Sequence, residues 1–289
     1  MTNAYFCVDI GGTKTACAIY GEDGEELFYT RFPTEPARGA EDLLERVYQS
    51  AREALEKYRI LKGAIASPGP LDIPSGRIVQ VVTMGWRDIP LVALFEARFG
   101  FSFVLLNDCD AGALGVATAP DFQWASSLCY ISLSTGIGGG AVFGGRLYTG
   151  NGNAANFGHM PVVGEGIRCG CGNTDCLELY ASGSGIECRY ERKTGVRKSC
   201  AEIEALAKVG DALACTLFSE ASEYLAFALN AIRAIVDPEL IVLGGSVCRA
   251  GKLILGDAEQ HHRIGFAPDD GKQVLKGAFA YAKQSEKES

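Results

Sequence analysis

The chain has 289 residues, 47% hydrophobic and 21% charged, with a formal net charge of −8. That is the balance of a soluble globular protein long enough for two lobes. The acidic excess argues against a general nucleic-acid or membrane-surface binder, which needs a basic face, but not against an anionic substrate held by a local loop and a divalent cation.

The N-terminal MTNAYFCVDIGG has no basic segment ahead of an apolar one, and no apolar run reaches the ~18 residues of a membrane span. Of eleven cysteines, Cys7, Cys17, Cys109, Cys129, Cys215 and Cys248 stand singly in apolar contexts. They read as small buried hydrophobes of a reduced, cytoplasmic protein.

In chain order, Tyr5 to Ile10 reads as a strand. Asp9-Ile-Gly-Gly-Thr-Lys-Thr15 is a tight turn, and Ala16 to Tyr20 and Leu27 to Phe32 are further strands. Ala40 to Tyr58 carries Leu43, Leu44, Val47, Ala51, Ala54 and Leu55 at helical spacing. Leu61 to Ser67 is a buried strand ending at Pro68-Gly69-Pro70, a rigid loop that brings backbone close to whatever lies above it. Ile78 to Val82 reads as strand and Leu91 to Phe99 as helix. The strand Phe103 to Leu106 delivers Asn107 and Asp108 ahead of a helix over Ala111 to Ala119.

The second half opens with a strand over Ser127 to Leu133, a turn from Thr135 to Gly140, and a strand over Ala141 to Phe143. Gly144-Gly145 then turns into Arg146 to Tyr148. This repeats the strand, glycine turn, strand pattern of residues 5–20, as two related halves would. Helices follow over Gly183 to Arg192, Cys200 to Ala207 and Ala212 to Val236. A strand over Leu240 to Leu243 leads to Gly244-Gly245-Ser246, which opens a helix. The tail from Ser285 to Ser289 is polar and reads as frayed.

Five features carry chemistry. The turn Asp9-x-Gly11-Gly12-Thr13-Lys14 lacks the spacing of a P-loop, and a strand rather than a helix follows it, so it is not a dinucleotide fingerprint. Its backbone N–H groups can still line a phosphate. The turn Gly136-x-Gly138-Gly139-Gly140 sits in the matching place of the second half. With Gly244-Gly245 after a strand, the three turns suggest a nucleotide clasped between lobes. Asp108, at a strand end, suits a base near a hydroxyl under phosphorylation. The bland reading is a cap for the next helix, but Asp110 could cap in its place and leave Asp108 free for chemistry. His159 with Cys169-x-Cys171-x₄-Cys176 makes a closed tetrahedral zinc set, structural because no ligand position is left open. His261 and His262, with no cysteine nearby, read as surface residues.

Asp9-Ile-Gly-Gly-Thr-Lys14, Pro68-Gly-Pro70, Asn107-Asp108, Thr135 to Gly140, Gly158-His159 and Cys169-Gly-Cys171-Gly-Asn-Thr-Asp-Cys176-Leu-Glu178 together resemble the ROK family (repressors, open reading frames, kinases). The resemblance runs from about residue 5 to the end. It implies an α/β, actin-like ATPase (ribonuclease H-like) fold of two lobes, each a mixed sheet flanked by helices. The lobes are expected at 1–117 and 118–289, with the last helix packing back on the first. Dimeric or tetrameric assembly is also implied.

Residue by residue, the resemblance assigns phosphates and Mg²⁺ to Asp9, Gly11, Gly12, Thr13 and Lys14. It assigns the rest of the ATP site to Thr135, Gly136, Gly138 and Gly139, with Gly244 and Gly245 near the nucleoside. Asp108 would be the general base. Asn107, His159 and Glu178 would bind sugar hydroxyls, with Gly69 and Asn156 in the same pocket. His159, Cys169, Cys171 and Cys176 would hold structural Zn²⁺.

The implied activity is ATP-dependent phosphorylation of a hydroxyl, the 6-OH, of a hexose or N-acetylhexosamine. The alternatives are a non-catalytic sugar-binding protein and a transcription regulator. Family repressors carry a DNA-binding segment ahead of the first turn, which here begins at residue 9, so a kinase that binds no nucleic acid is expected.

The chain departs from the family at several positions. Ala155 and Asn156 stand where sugar-phosphorylating members carry Gly-Glu, Asp175 and Ser246 replace glycines, and Asp110 replaces an asparagine. Thr83-Met84 precedes Gly85-Trp86 where an asparagine is common. The expected consequence is a shifted sugar specificity or a weaker grip on glucose.

Overall fold

A computed structural model of the chain describes residues 1–256, 263–268 and 270–287; His261 and His262 lie outside them. The described residues form two compact units.

The first unit takes in residues 1–123, 145–152 and 270–287. Its elements begin with β1 (Thr2–Ile10), β2 (Lys14–Gly21), β3 (Glu26–Pro33), α1 (Ala40–Leu55) and β4 (Tyr58–Ser67). A small antiparallel sheet of β5 (Leu71–Asp72), β6 (Arg77–Val81) and β7 (Trp86–Ile89) follows, then α2 (Leu91–Phe99), β8 (Phe103–Asn107) and α3 (Asp108–Ala117). The main sheet has the order β3-β2-β1-β4-β8. Its β1–β2 and β2–β3 pairs are antiparallel, whereas β1–β4 and β4–β8 are parallel. The central strand β1 therefore has both edges paired and is buried from Ala4 to Val8.

Alternation along β1 sends Phe6 and Val8 into the core shared with α1 and α2, where the rings of Phe99, Phe101 and Phe103 pack around Phe6. It sends Tyr5 and Cys7 to the opposite face, with Ala111 of α3 and Leu275 of the last helix. On that face two glycines permit a very close helix crossing. A Cβ on Gly115 would lie 1.8 Å from the Gln273 carbonyl oxygen, and one on Gly277 would lie 1.7 Å from that of Ala111.

The second unit takes in residues 124–144, 153–256 and 263–268. Its sheet is built on β9 (Ser127–Leu133) and β10 (Ile137–Phe143), an antiparallel pair, with β12 (Leu240–Gly244) and β13 (Ile264–Phe266) added in parallel. The sheet order is β11-β10-β9-β12-β13, in which β11 (Arg146–Tyr148) is the short hairpin return. Helices α4 (Glu178–Ala181), α5 (Gly183–Thr194), α6 (Cys200–Lys208), α7 (Ala212–Ile235) and α8 (Lys252–Leu255) complete it, and α9 (Gln273–Lys287) belongs to the first unit.

By length and composition α7 is apolar enough to cross a membrane, which the sequence reading had not anticipated. Here one face, including Leu217, Ala221, Leu225 and Ile232, is buried against β9 and β12 residues. Glu223, Asn230 and Arg233 are exposed, so α7 is an amphipathic core helix.

Two readings need correction. The helix after β8 begins at Asp108, not Ala111, and Asn107 is its cap, its side chain accepting from Cys109 N at 2.9 Å. Neither aspartate is the capping residue. The second glycine run is also less of a turn than expected. Only residues 134–136 bend, while Gly138, Gly139 and Gly140 lie inside β10 opposite Ser132, Ile131 and Tyr130.

Candidate active site and zinc corner

In the first unit, Asp9 sits next to the end of β1 and Asp108 directly follows the parallel strand β8 as the first residue of α3, both half-buried. Burial, and then the Asp108 carboxylate, push Asp9 up to about 7. Burial also raises Asp108, against the pull of its bond from Cys109 N at 2.8 Å. Asp110 is likewise pushed up to about 7 by burial and then by Asp108. Asp9 and Asp110 thus both respond to the charge of Asp108. Gly69, joined to Pro70 by a cis peptide, lies close to the Asn107 amide, which a Cβ on Gly69 would meet at 3.5 Å.

The first turn is braced from below. Gly11 N donates to Lys14 O at 3.0 Å and Thr34 N to Thr13 O at 2.9 Å. The Thr34 hydroxyl donates to Gly11 O at 2.6 Å and lies 2.9 Å from the Thr15 hydroxyl. Thr34 is fully buried, and sequence reasoning missed it because a lone threonine after a strand carries no motif. A Cβ on Gly11 would sit 2.8 Å from Lys14 O, so the turn itself requires glycine there. Above Gly12 the space is open, with Thr83 Oγ1 the nearest atom at 3.9 Å. Gly12, Thr13 and Lys14 are exposed.

In the second unit, the bend at 134–136 is tied to the start of α5: Gly183 N donates to Ser134 O at 2.8 Å and Ser184 N to Thr135 O at 3.0 Å. Ser134, Thr135, Glu187, Glu204, Ser246 and Val247 line a pocket of about 140 Å³. Gly245 borders the same region with φ +91°, and a Cβ there would lie 2.2 Å from Leu133 O. Glu178, first residue of α4, accepts from Ile137 N at 2.9 Å, and a Cβ on Gly136 would approach its carboxylate to 2.5 Å. The nucleotide-type bend and the cysteine corner are therefore joined by Glu178. A Cβ on buried Gly139 would strike Phe157, Ala155 O and Tyr130 O at 2.4–2.8 Å, so packing against residues 155–157 accounts for this glycine.

His159, Cys169, Cys171 and Cys176 come together with their ligand atoms within 4.8 Å of one another. Cys169 Sγ lies 3.7 Å from His159 Nδ1, and Cys171 Sγ lies 3.6 Å from Cys176 Sγ. A tetrahedral zinc with bonds of about 2.3 Å to sulfur has ligand edges of about 3.8 Å, so the set fits the ion. Asn156 is exposed, and Ala155 beside it has φ +57°, a left-handed conformation that favours glycine.

The ROK family profile matches residues 5–267. An N-acetyl-D-glucosamine kinase of Citrobacter koseri is 32% identical over 256 residues, 84% of each chain. Among solved structures, the ROK hexokinase of Thermus thermophilus superposes with a TM-score of 0.90 at 28% identity, covering 99% of this chain and 100% of that one. A ROK family glucokinase from Streptomyces griseus, solved in complex with glucose and AMPPNP, gives a TM-score of 0.78 at 29% identity over 97% and 99% of the two chains. The mixed sheets flanked by helices are thus those of an actin-like ATPase fold, and the chain belongs to the ROK family.

Proposed function

We propose that this chain is an ATP-dependent sugar kinase that moves the γ-phosphoryl group of ATP to a hydroxyl of a hexose or N-acetylhexosamine, the 6-OH by our reading. The observation that carries the proposal is Asp108: a half-buried carboxyl at a parallel-strand end, held above its ordinary pKa, in the same unit as the open Gly12-Thr13-Lys14 turn. The family resemblance and the AMPPNP-bound neighbour support the phosphoryl donor.

In this reading the sugar oxygen bonds to the γ-phosphorus, the bond from phosphorus to the β,γ-bridging oxygen breaks, and ADP leaves. Asp108 accepts the hydroxyl proton as that transfer proceeds. The N–H groups of Gly12 and Thr13 and the Lys14 ammonium face the charge on the transferring group. Asp9 with its turn would hold Mg²⁺, which neutralises phosphate charge when bound. A carboxyl raised by burial and a like-charged neighbour suits a divalent cation. Thr135, Gly136 and Gly138 are assigned to the ATP site, with Gly244 and Gly245 at the nucleoside. Among the glycines assigned to ATP, Gly139 acts through packing.

Asn107, Gly69, Asn156, His159 and Glu178 are assigned to the sugar. His159 Nδ1 turns toward Cys169, which leaves Nε2 for a hydroxyl, so the zinc would orient a substrate contact without entering the chemistry.

A coupled ADP-release assay with Mg²⁺ across glucose, mannose, fructose, allose, N-acetylglucosamine and N-acetylmannosamine tests the proposal. Turnover of at least one sugar is expected. Sugar-dependent thermal stabilisation with turnover of none would overturn it. Metal analysis is expected to find about one zinc per chain, from the four-ligand set of His159, Cys169, Cys171 and Cys176.

A further inference from the structure

Arg189 is the most deeply buried charged side chain among the described residues, at 2% exposure, and no step above uses it. It projects from α5 between two carboxylates. Its Nη2 donates to Glu165 Oε1 at 2.9 Å and, at shorter range, to Glu220 Oε2 of α7. The guanidinium carbon stands 5.1 Å from the centre of the Tyr180 ring. Both carboxylates are more than a third exposed at the side chain, so the cation is the buried partner. Its Nε and Nη1 have no hydrogen-bond partner. Burying this cation carries a desolvation cost that its two carboxylates must offset.

What lies beyond Glu165 shows what that position does. The Tyr180 hydroxyl accepts from Glu165 N at 2.7 Å and donates to Asp175 Oδ1. Asp175 precedes the ligand Cys176 and has φ +55°, where glycine would be unstrained. Its side chain also accepts from Ile167 N at 2.8 Å and Gly166 N at 3.1 Å, and its backbone bonds to Val162 and Ile167. The loop approaches Tyr180 so closely that a Cβ on Gly164 would lie 2.2 Å from the hydroxyl oxygen. The segment between His159 and Cys169 is thus fastened at both ends by the ligand set and in its middle by Glu165, Tyr180 and Asp175.

We propose that Arg189 is a positioning residue for the zinc and sugar corner. By clamping Glu165 to α7 and stacking on Tyr180, it fixes the loop 164–168 and with it the register of His159 against the three thiols. The part concerning sugar rests on the kinase reading; the part concerning the loop does not.

Arg189→Met and Tyr180→Phe in the full-length protein test this. Methionine keeps apolar volume, and the two freed carboxylates can turn to solvent, so folding is expected to survive. Hydrogen exchange across residues 160–177 is expected to speed up in both variants while α7 keeps its protection. Transfer of zinc to a chelator is expected to accelerate about tenfold or more, the usual scale for groups that orient metal ligands. The sugar KM should rise by about tenfold, with kcat and the ATP KM held within about twofold. Arg189→Lys should recover part of the loop protection, because an ammonium can hold one carboxylate but lacks the planar fork.

Unchanged exchange over 160–177 in a folded Arg189→Met would overturn the proposal. So would a uniform loss of protection throughout the second unit, which would mark Arg189 as a general core residue. If the wild type phosphorylates no sugar, the kinase reading fails while loop exchange still decides the clamp.

Discussion

The two units carry the same local pattern, a strand, a glycine-rich stretch and a return strand, yet the glycines answer to different forces. In the first, Gly11 lies in the bend itself because Lys14 O crowds it, and Gly12 has open space above. In the second, the bend is over by Gly136, and Gly139 is a strand residue pressed against Phe157 and Ala155. A glycine that faces nothing in its own protein leaves room for something else, whereas a glycine that faces backbone is a packing requirement. By that criterion the first turn is the stronger ligand candidate, and the second run mainly supports the strip 155–159 that leads to the zinc corner.

Substitutions can break this comparison. The largest stability effect is expected from Gly139→Ala, whose new carbon would meet three groups at 2.4–2.8 Å. Denaturant unfolding should show a loss of about 3 kcal/mol, the upper range for overpacking. Gly12→Ala should leave stability within about 0.5 kcal/mol, as for an unconstrained surface site. It should nonetheless raise the ATP KM about tenfold, equivalent to about 1.4 kcal/mol of binding. Equal stability losses in the two variants would erase the distinction. Ala155→Gly is expected to stabilise by about 1 kcal/mol, because the left-handed backbone at φ +57° penalises a side chain.

A further test concerns pH. Asp110 titrates near 7 in the folded chain, against about 4 for an ordinary aspartate. Folding thus favours its protonated form, so its contribution turns unfavourable as pH rises from about 4 to 7. Asp110→Asn should raise Tm at pH 8 and change it little at pH 4. The same rise at both values would show that its ionisation does not matter.

Much of this was legible in the sequence, for identifiable reasons. Leu91–Phe99, Ser127–Leu133 and Arg146–Tyr148 fall where periodicity and turn residues put them. The His159, Cys169, Cys171 and Cys176 set assembles because three cysteines within eight residues leave few other geometries. Glycine hid the start of β10: with no side chain, Gly138 to Gly140 give no alternation, and only the pairing with Tyr130 to Ser132 reveals a strand. Asn107 was passed over as a cap in favour of two aspartates, since caps depend on backbone geometry that spacing does not disclose. Thr34, Glu165 and Arg189 were invisible for a different reason. Each works through a partner distant in sequence, and a single threonine or charge has no pattern of its own.

The central claim is that Asp108 removes the sugar proton during phosphoryl transfer. Steady-state turnover of Asp108→Asn, with the best sugar from the panel and saturating Mg²⁺-ATP, tests it most directly because asparagine keeps the shape and loses the base. The account predicts a fall in kcat of at least about 10²–10⁴-fold, the usual contribution of a general base, with the thermal shift on sugar binding retained. Turnover within a few fold of wild type, in a variant that still binds sugar, would contradict it.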